Sequence, residues 1–198
     1  METRTVPTGV HLRDVREQLF DAAERVLREG GPSALTSRAV TEAAGVAKGV
    51  LHRHFADFDA FLAEFVLDRA TRTEARLSEL TAGEGEVVGN LADAIAAVFT
   101  SVAVSVVALI SFRDDLRARL RETWPAGVPV LTEAVELIAV YLAGEQRCGR
   151  ISDGVDVDGL APMLIGSAHL LFADRQVRPD AEAVRRMVRQ VVGSSIRN

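Results

Sequence analysis

The sequence predicts an all-α protein, with a small N-terminal domain of three helices followed by a larger helical domain. Apolar residues recur at three- and four-residue steps along most of the chain, which is the period of an amphipathic helix. No segment shows the strict alternation of a half-buried strand, and there is no internal repeat. The composition, 48% hydrophobic and 26% charged, is that of an ordinary folded domain rather than a disordered chain.

The N-terminal domain is predicted at residues 13–58, after a flexible arm at residues 1–12. Its first helix is amphipathic and ends at the glycine-glycine-proline sequence of residues 30–32. Two shorter helices are expected at residues 37–44 and 48–55. Thr36 is expected to be the N-cap of the first short helix, and Gly45 separates the two short helices. Asp57 is expected to be the N-cap of a long helix that runs to about residue 80.

The remaining residues, 59–198, are predicted to form the larger helical domain. Residues 94–112 carry no charge and approach the length of a membrane span. Hydroxyl residues interrupt this stretch, so we expect a buried helix that breaks near residues 100–101. Further helices are predicted at residues 113–122, 128–147, 157–173 and 180–195.

The charge of the chain is unevenly distributed. The net charge is −5, but residues 1–55 carry eight basic against seven acidic residues. The segment from residue 36 to residue 55 has a net positive charge, because it contains Arg38, Lys48 and Arg53 but only one acidic residue, Glu42. Local positive charge of this kind is what binding to phosphates requires.

The segment from Leu35 to Phe55 has the pattern of a helix-turn-helix. Two short helices joined through a glycine can place the second helix in the major groove of DNA. The residues expected to point inward are Val40, Ala43, Val46, Leu51 and Phe55, which leaves Lys48, Gly49, Val50, His52, Arg53 and His54 on the outer side. Such side chains can bind phosphates and base edges. A charged, solvated helix has the same spacing, so spacing alone leaves both interpretations open.

The same segment contains Leu35-Thr36-x-Arg38, then Ala43-Ala44-Gly45-Val46-x-Lys48-Gly49-x-Leu51-x-Arg53-His54-Phe55, followed by Asp57 and Asp59. At these residues the sequence resembles the TetR family (TetR/AcrR) of bacterial transcriptional regulators, over about residues 13–66. The resemblance implies DNA contacts to the backbone from Ser37 and Arg38, to bases or nearby phosphates from residues 48–50, to a phosphate from His52, and at the groove edge from Arg53 and His54.

Three residues depart from the family pattern. Ala47 stands where the family commonly has a hydroxyl residue, so the recognition helix is expected to lack its usual N-cap. His52 replaces a usual tyrosine. Phe58 replaces a usual lysine, which removes one expected phosphate contact.

No residues point to an enzyme, a metal or a cofactor. The chain contains no phosphate-binding loop, nucleophile elbow or paired-carboxylate motif. His52 and His54 lie two residues apart, and on a helix such side chains face away from each other, so they do not form a metal-binding pair. For His54, the alternative to a DNA contact is a structural role. The single cysteine, Cys148, excludes an internal disulfide and fits a cytoplasmic protein.

The resemblance also implies that the last two long helices form the four-helix bundle of a homodimer. The predicted interface residues are Leu160, Leu164, Ala168, Leu171, Val184, Val188 and Val191. Packing only within one chain is the alternative. The large or polar groups available for an effector pocket are Phe99, Ser105, Phe112, Trp124, Tyr141, Met163, His169 and Phe172, each of which is also compatible with an ordinary core position.

Together these features predict a sequence-specific, DNA-binding transcriptional regulator. We expect a repressor that binds a palindromic operator as a dimer and is released by a small, largely apolar effector. The alternative is a regulator without an effector, or one that senses oxidants through Cys148, with a C-terminal domain that serves only dimerisation or protein partners. Neither alternative involves a membrane.

Overall fold

The computed structural model describes residues 8–99, 103–125, 127–174 and 178–197, with side chains from residue 15 onward. Within these ranges the chain forms ten α-helices and no β-strand, apart from one isolated antiparallel bridge between Ile151 and Ile196. The helices are α1 (Thr8–Gly30), α2 (Ser37–Ala44), α3 (Gly49–His54), α4 (Phe58–Leu77), α5 (Val87–Phe99), α6 (Ala103–Phe112), α7 (Asp114–Thr123), α8 (Leu131–Arg147), α9 (Val157–Leu171) and α10 (Ala181–Val192).

The predicted all-α class is confirmed, and most helices lie within three residues of their predicted bounds. The first helix begins at Thr8, so residues 8–12 of the expected arm are helical, while residues 1–7 lie outside the described part of the chain. The expected break in the uncharged stretch falls between α5 and α6, and residues 100–102 are not described.

The chain divides into two compact units. The first contains the described residues up to Phe65 together with Ala108–Thr123, so it includes α1 to α3, the start of α4, the end of α6 and α7. The second contains Val66–Val107 and the chain from Trp124 onward. The unit with the helix-turn-helix therefore extends beyond the predicted range of 13–58, because α7 packs with it.

Local capping explains why α2 begins and ends where it does. The hydroxyl of Thr36 accepts a hydrogen bond from the backbone amide of Ala39 at 3.1 Å, as the predicted N-cap requires. At the other end Gly45 adopts the left-handed conformation, with φ of 67°, which glycine reaches without the cost a side chain incurs. The amide of Val46 then donates to the carbonyl of Thr41 at 3.0 Å, which closes the helix end.

In the second unit, α9 packs against α8, α10 and α5, and α10 packs against α5. This arrangement corrects part of the predicted dimer interface. Leu164, Ala168, Val184 and Val188 are at most 2% exposed and lie in the core of a single chain. The exposed apolar side chains of α9 are instead Met163 and Leu170, at 59% and 78%, one heptad apart.

No single helix among the described residues has the length and apolar character needed to cross a membrane. By length and composition alone, only α5 and α6 taken together meet that requirement, as a pair bent by 47°.

Candidate nucleic-acid interface

The recognition helix, α3, presents a polar outer face. Lys48, His52 and Arg53 are exposed, and their side chains form no hydrogen bond or ion pair with the described residues. Leu51, on the opposite face, is fully buried. Since α3 has only six residues and no side-chain N-cap, its position must be set by its neighbours rather than by its own helical stability.

A cluster of phenylalanines forms the platform beneath α3. Phe55, the C-cap of α3, is 3% exposed and makes an edge-to-face contact with Phe61, with ring centroids 5.0 Å apart. Phe20 of α1 lies 5.9 Å from Phe55 and 5.6 Å from Phe61. Helix α4 turns Phe61, Leu62, Phe65 and Val66 inward, and all four are fully buried.

Side chains of α1 hold the end of α2, which sequence patterning did not reveal. Gln18 donates from Nε2 to the carbonyl of Ala44, and Arg25 donates from Nη2 to the carbonyl of Ala43, both at 2.7 Å. These carbonyls belong to the last turn of α2 and have no partner within the helix. The polar positions of an amphipathic helix look alike in sequence, so nothing distinguished Gln18 and Arg25 from solvated residues.

A third α1 residue, Arg16, reaches the end of α3. Its Nη1 donates to the carbonyl of His54 at 3.3 Å, and its guanidinium carbon lies 4.4 Å from the centre of the Phe55 ring. Arg16 also pairs with Glu64 of α4. One side chain therefore connects α1, α3 and α4 on the side away from the exposed cations.

The other predicted DNA-contact residues differ in accessibility. Gly49 is exposed, while Val50 and His54 are half-buried. Arg38 is 80% exposed and its Nε lies 2.7 Å from a carboxylate oxygen of Glu42. The hydroxyl oxygen of Ser37 is buried, so Ser37 offers its backbone rather than its side chain to a ligand. Ala43, expected to point inward, is exposed because Val40, Thr41 and Ala44 occupy the inner face of α2.

The start of α4 is tied to α7. Asp57 is the predicted N-cap, and its Oδ1 accepts from the amide of Ala60 at 2.7 Å. This hydrogen bond is the main cause of a lowered pKa for the Asp57 carboxyl, and the Arg119 pair adds to it. Arg119 Nη2 lies 2.8 Å from Asp57 Oδ2, and Arg113 Nη2 lies 2.7 Å from Asp59 Oδ1.

Residues 19–65 match the family model described as bacterial regulatory proteins, tetR family. The match spans the end of α1, both short helices and the start of α4, which are the elements that build the exposed face of α3. Residues 19–65 form a TetR-family domain. This confirms the resemblance found in the sequence, and it assigns residues 19–65 to a family of regulatory proteins.

The whole chain has the fold of TetR-family proteins. A putative TetR-family regulator from Rhodococcus sp. superimposes with a TM-score of 0.69 at 20% identity, over 93% of this chain and 100% of the other. NemR from E. coli, in its reduced form, gives 0.70 at 18%, over 93% and 97%. FadR from Bacillus subtilis, in complex with stearoyl-CoA, gives 0.65 at 20%, over 91% and 99%. No curated protein matches the sequence.

In the second unit of this TetR-family fold, three predicted pocket residues come together. The ring of Phe99 on α5 stacks on that of Phe172, with centroids 5.4 Å apart, and lies 6.3 Å from the ring of His169. The Nδ1 atom of His169 is buried and has no hydrogen-bond partner among the described residues. The predicted effector site at these residues stays a prediction, since their contacts alone do not show a bound molecule.

Other predicted pocket residues have different surroundings. Phe112 belongs to the first unit and is 86% exposed, and Met163 is 59% exposed, so both are surface residues. Trp124 is half-buried and Ser105 is buried. For Ser105 and Phe112 in α6, the uncharged sequence gave no polar face from which to predict which side is buried.

Tyr141 is buried in a polar network. Its hydroxyl accepts a hydrogen bond from Asn90 Nδ2 at 3.0 Å, and the fully buried carboxyl group of Glu145 lies close to it. Burial raises the pKa of the Tyr141 hydroxyl well above its usual value, and the Glu145 contact raises it further. Glu145 in turn accepts from the amide of Gly83 and pairs with Arg150. Tyr141 is therefore already satisfied within the protein.

Proposed function

We propose that this protein is a transcriptional repressor that binds a palindromic operator as a homodimer. The observation that carries the proposal is the exposed row of Lys48, His52 and Arg53 on a helix whose other face is buried in a TetR-family domain. The cationic side chains of Lys48 and Arg53 have no partner among the described residues, so they are available to phosphates and base edges. A charged helix that only faces solvent is seldom found at this place in a domain of this family.

Gly49 supports the same interpretation. A Cβ atom added at this residue would meet nothing within 4 Å, and its φ is not in the left-handed region, so the fold itself does not require a glycine there. A bare backbone at the start of a recognition helix lets DNA approach closely.

The proposal is tested by selecting binding sites from random duplex DNA with the purified protein and measuring the affinity for the selected site. We expect a palindrome with half-sites about 34–36 Å apart, as for other helix-turn-helix dimers. Lys48→Ala and Arg53→Ala should each weaken binding by about tenfold or more, because one bidentate base contact is worth roughly 1–3 kcal/mol. The matched control is Arg121→Ala, an exposed arginine of α7.

Gly49→Ala sharpens the test. Alanine favours a helix over glycine by about 0.5–1 kcal/mol, so the variant should be at least as stable as the wild type. Its affinity for the selected site should nevertheless fall, because the added methyl group occupies the space that DNA needs. Selection of no sequence at all, or equal binding by all variants, would contradict the proposed function.

Dimerisation is proposed to use the exposed side of α9 and α10. Met163 and Leu170 are the exposed apolar residues of α9, and Leu160, Leu171 and Val191 are half-buried beside them. Apolar side chains at this spacing suit a helical bundle between two copies. A dimer would also present two recognition helices to one duplex.

The effector is proposed to be a small, largely apolar molecule bound beside Phe99, His169 and Phe172. These rings supply apolar surface, and His169 Nδ1 supplies one polar contact. The stearoyl-CoA complex of FadR is a precedent for a long apolar ligand in this fold. A panel of hydrophobic compounds should contain some that raise the melting temperature and lower DNA affinity, and both effects should be lost in Phe99→Ala.

A thiol sensor remains the second candidate, because Cys148 is exposed. In this case peroxide should reduce DNA binding by the wild type but leave Cys148→Ser unaffected. Equal responses of the two proteins would exclude the thiol from sensing.

A further inference from the structure

Two arginines, Arg113 immediately before α7 and Arg119 within it, hold the start of α4 through its acidic residues. Arg113 approaches Asp59 Oδ1 with Nε at 3.0 Å and with Nη2 at 2.7 Å, and its guanidinium lies 5.6 Å above the ring of Phe58. Arg119 pairs with Asp57 at 2.8 Å. We call these four charged residues the α4–α7 clasp.

The clasp lies next to the recognition helix. Helix α3 ends at His54, and only Phe55 and Ala56 precede Asp57, the N-cap of α4. Phe58, under Arg113, stacks on Phe61 with ring centroids 5.6 Å apart, and Phe61 contacts Phe55. A change in the direction of the first turn of α4 would therefore move the end of α3.

The clasp is not part of the cationic face. It borders an open groove of about 550 Å³ that is lined by Asp57, Asp59, Asp115, Ala118, Arg119 and Glu122. Four carboxylates in one groove oppose contact with a phosphate backbone. Arg113 and Arg119 are each directed at a carboxylate of this region, so their effect on DNA must pass through α4.

We propose that Arg113 and Arg119 are positioning residues for DNA binding: by pairing with Asp59 and Asp57 they fix the start of α4, and through it the orientation of the recognition helix. The inference rests on the proposed function and assigns it two residues outside the TetR-family domain of residues 19–65. Helix α7 is then a working part of the DNA-binding unit.

The experiment is a double-mutant cycle with Arg113→Gln and Asp59→Asn, measured as affinity for the DNA site selected by the wild type. Each single variant should weaken binding by about tenfold. The double variant should bind at least as tightly as the single variant with the lower affinity, because the effects of two substitutions in one ion pair do not add. The slope of affinity against salt concentration should stay at its wild-type value, because no phosphate contact is removed. Arg121→Gln on the same helix is the control and should bind normally.

Two other roles for Arg113 give different results, and either would overturn the inference. If Arg113 only neutralised negative charge, Asp59→Asn would strengthen DNA binding. If Arg113 touched DNA itself, Arg113→Gln would reduce the salt slope by about one phosphate and Asp59→Asn would not.

A charge swap distinguishes the loss of positioning from a simple loss of the fold. Arg113→Asp combined with Asp59→Arg should recover affinity that either reversal alone removes, and a failure to recover it would also count against positioning. Normal affinity of all variants would overturn this inference alone. Absence of any specific site for the wild-type protein would instead overturn the proposed function.

Discussion

At the scale of single residues, the described structure contains polar groups whose burial changes their chemistry. Glu133 lies in the first turn of α8 and is 6% exposed. Burial is the main cause that raises the pKa of its carboxyl, and the nearby Glu136 and Glu74 act in the same direction. Neither side-chain oxygen of Glu133 has a hydrogen-bond partner among the described residues, so nothing of that kind stabilises the charged form.

The raised pKa of Glu133 predicts a loss of stability as the pH rises above the ordinary range of a glutamate carboxyl. The folded state holds the proton more tightly than the unfolded state, so this contribution to stability is complete in acid and is lost as pH rises through the raised pKa. Glu133→Gln, which is neutral throughout, should therefore unfold at higher urea concentration than the wild type at pH 8, with little difference at pH 4. The exposed Glu136→Gln serves as the control with a smaller effect. Parallel pH profiles for wild type and Glu133→Gln would contradict the prediction.

At the scale of elements, α2 and α3 are too short to be stable alone. Helix α2 depends on the Thr36 N-cap at one end, and on Gly45 together with Gln18 and Arg25 at the other. Helix α3 depends on the burial of Leu51 and Phe55. The geometry of the helix-turn-helix is therefore set by α1 and α4. They provide hydrogen bonds to the helix ends and the aromatic platform on which α3 packs.

Loss of the α2 cap should be measurable. Thr36→Ala removes the acceptor for the Ala39 amide, and we expect the free energy of unfolding of the first unit to fall by about 1 kcal/mol. Urea denaturation followed by circular dichroism measures this change. Ser33→Ala, at an exposed hydroxyl just before α2, should change stability little. Equal stabilities of Thr36→Ala and the wild type would show that water replaces the cap.

At the scale of the whole molecule, the exposed apolar residues of α9 bear on assembly. Leu170 is 78% exposed, so a charge there costs the single chain little. In a two-fold interface the same substitution would bury two like charges near each other.

Leu170→Glu is therefore expected to convert a dimer into a folded monomer, measured by light scattering after size exclusion, with its helical content retained. Val140→Glu places the same charge on an exposed apolar residue of α8, at 65% exposure, and should leave the dimer intact. A monomer from Val140→Glu alone would move the interface to α8. A monomeric wild type would remove the proposed dimer altogether.

The amount that could be predicted differed between the two units. In the first unit, Thr36, Gly45 and Asp57 mark helix ends by residue type, and the structure confirms all three. The uncharged stretch of residues 94–112 gives no polar face from which to assign the phase of a helix, so the exposure of Phe112 was not evident from the sequence. In α10 the pattern shows that Val184 and Val188 share an apolar face, but it does not show whether that face packs within the chain or against a second copy.

The sequence by itself determined the helical class, the order of the helices and the exposed cations of α3, because these depend on periodicity, capping and a compact motif close together in the chain. Only the tertiary structure decided which polar residues of α1 hold α2, that α7 joins the first unit through Arg113 and Arg119, and which apolar residues of α9 stay exposed. These features are contacts between residues up to 62 positions apart. Local patterns do not encode such contacts, since any polar side chain on a helix surface has the same spacing whether it meets water or another helix.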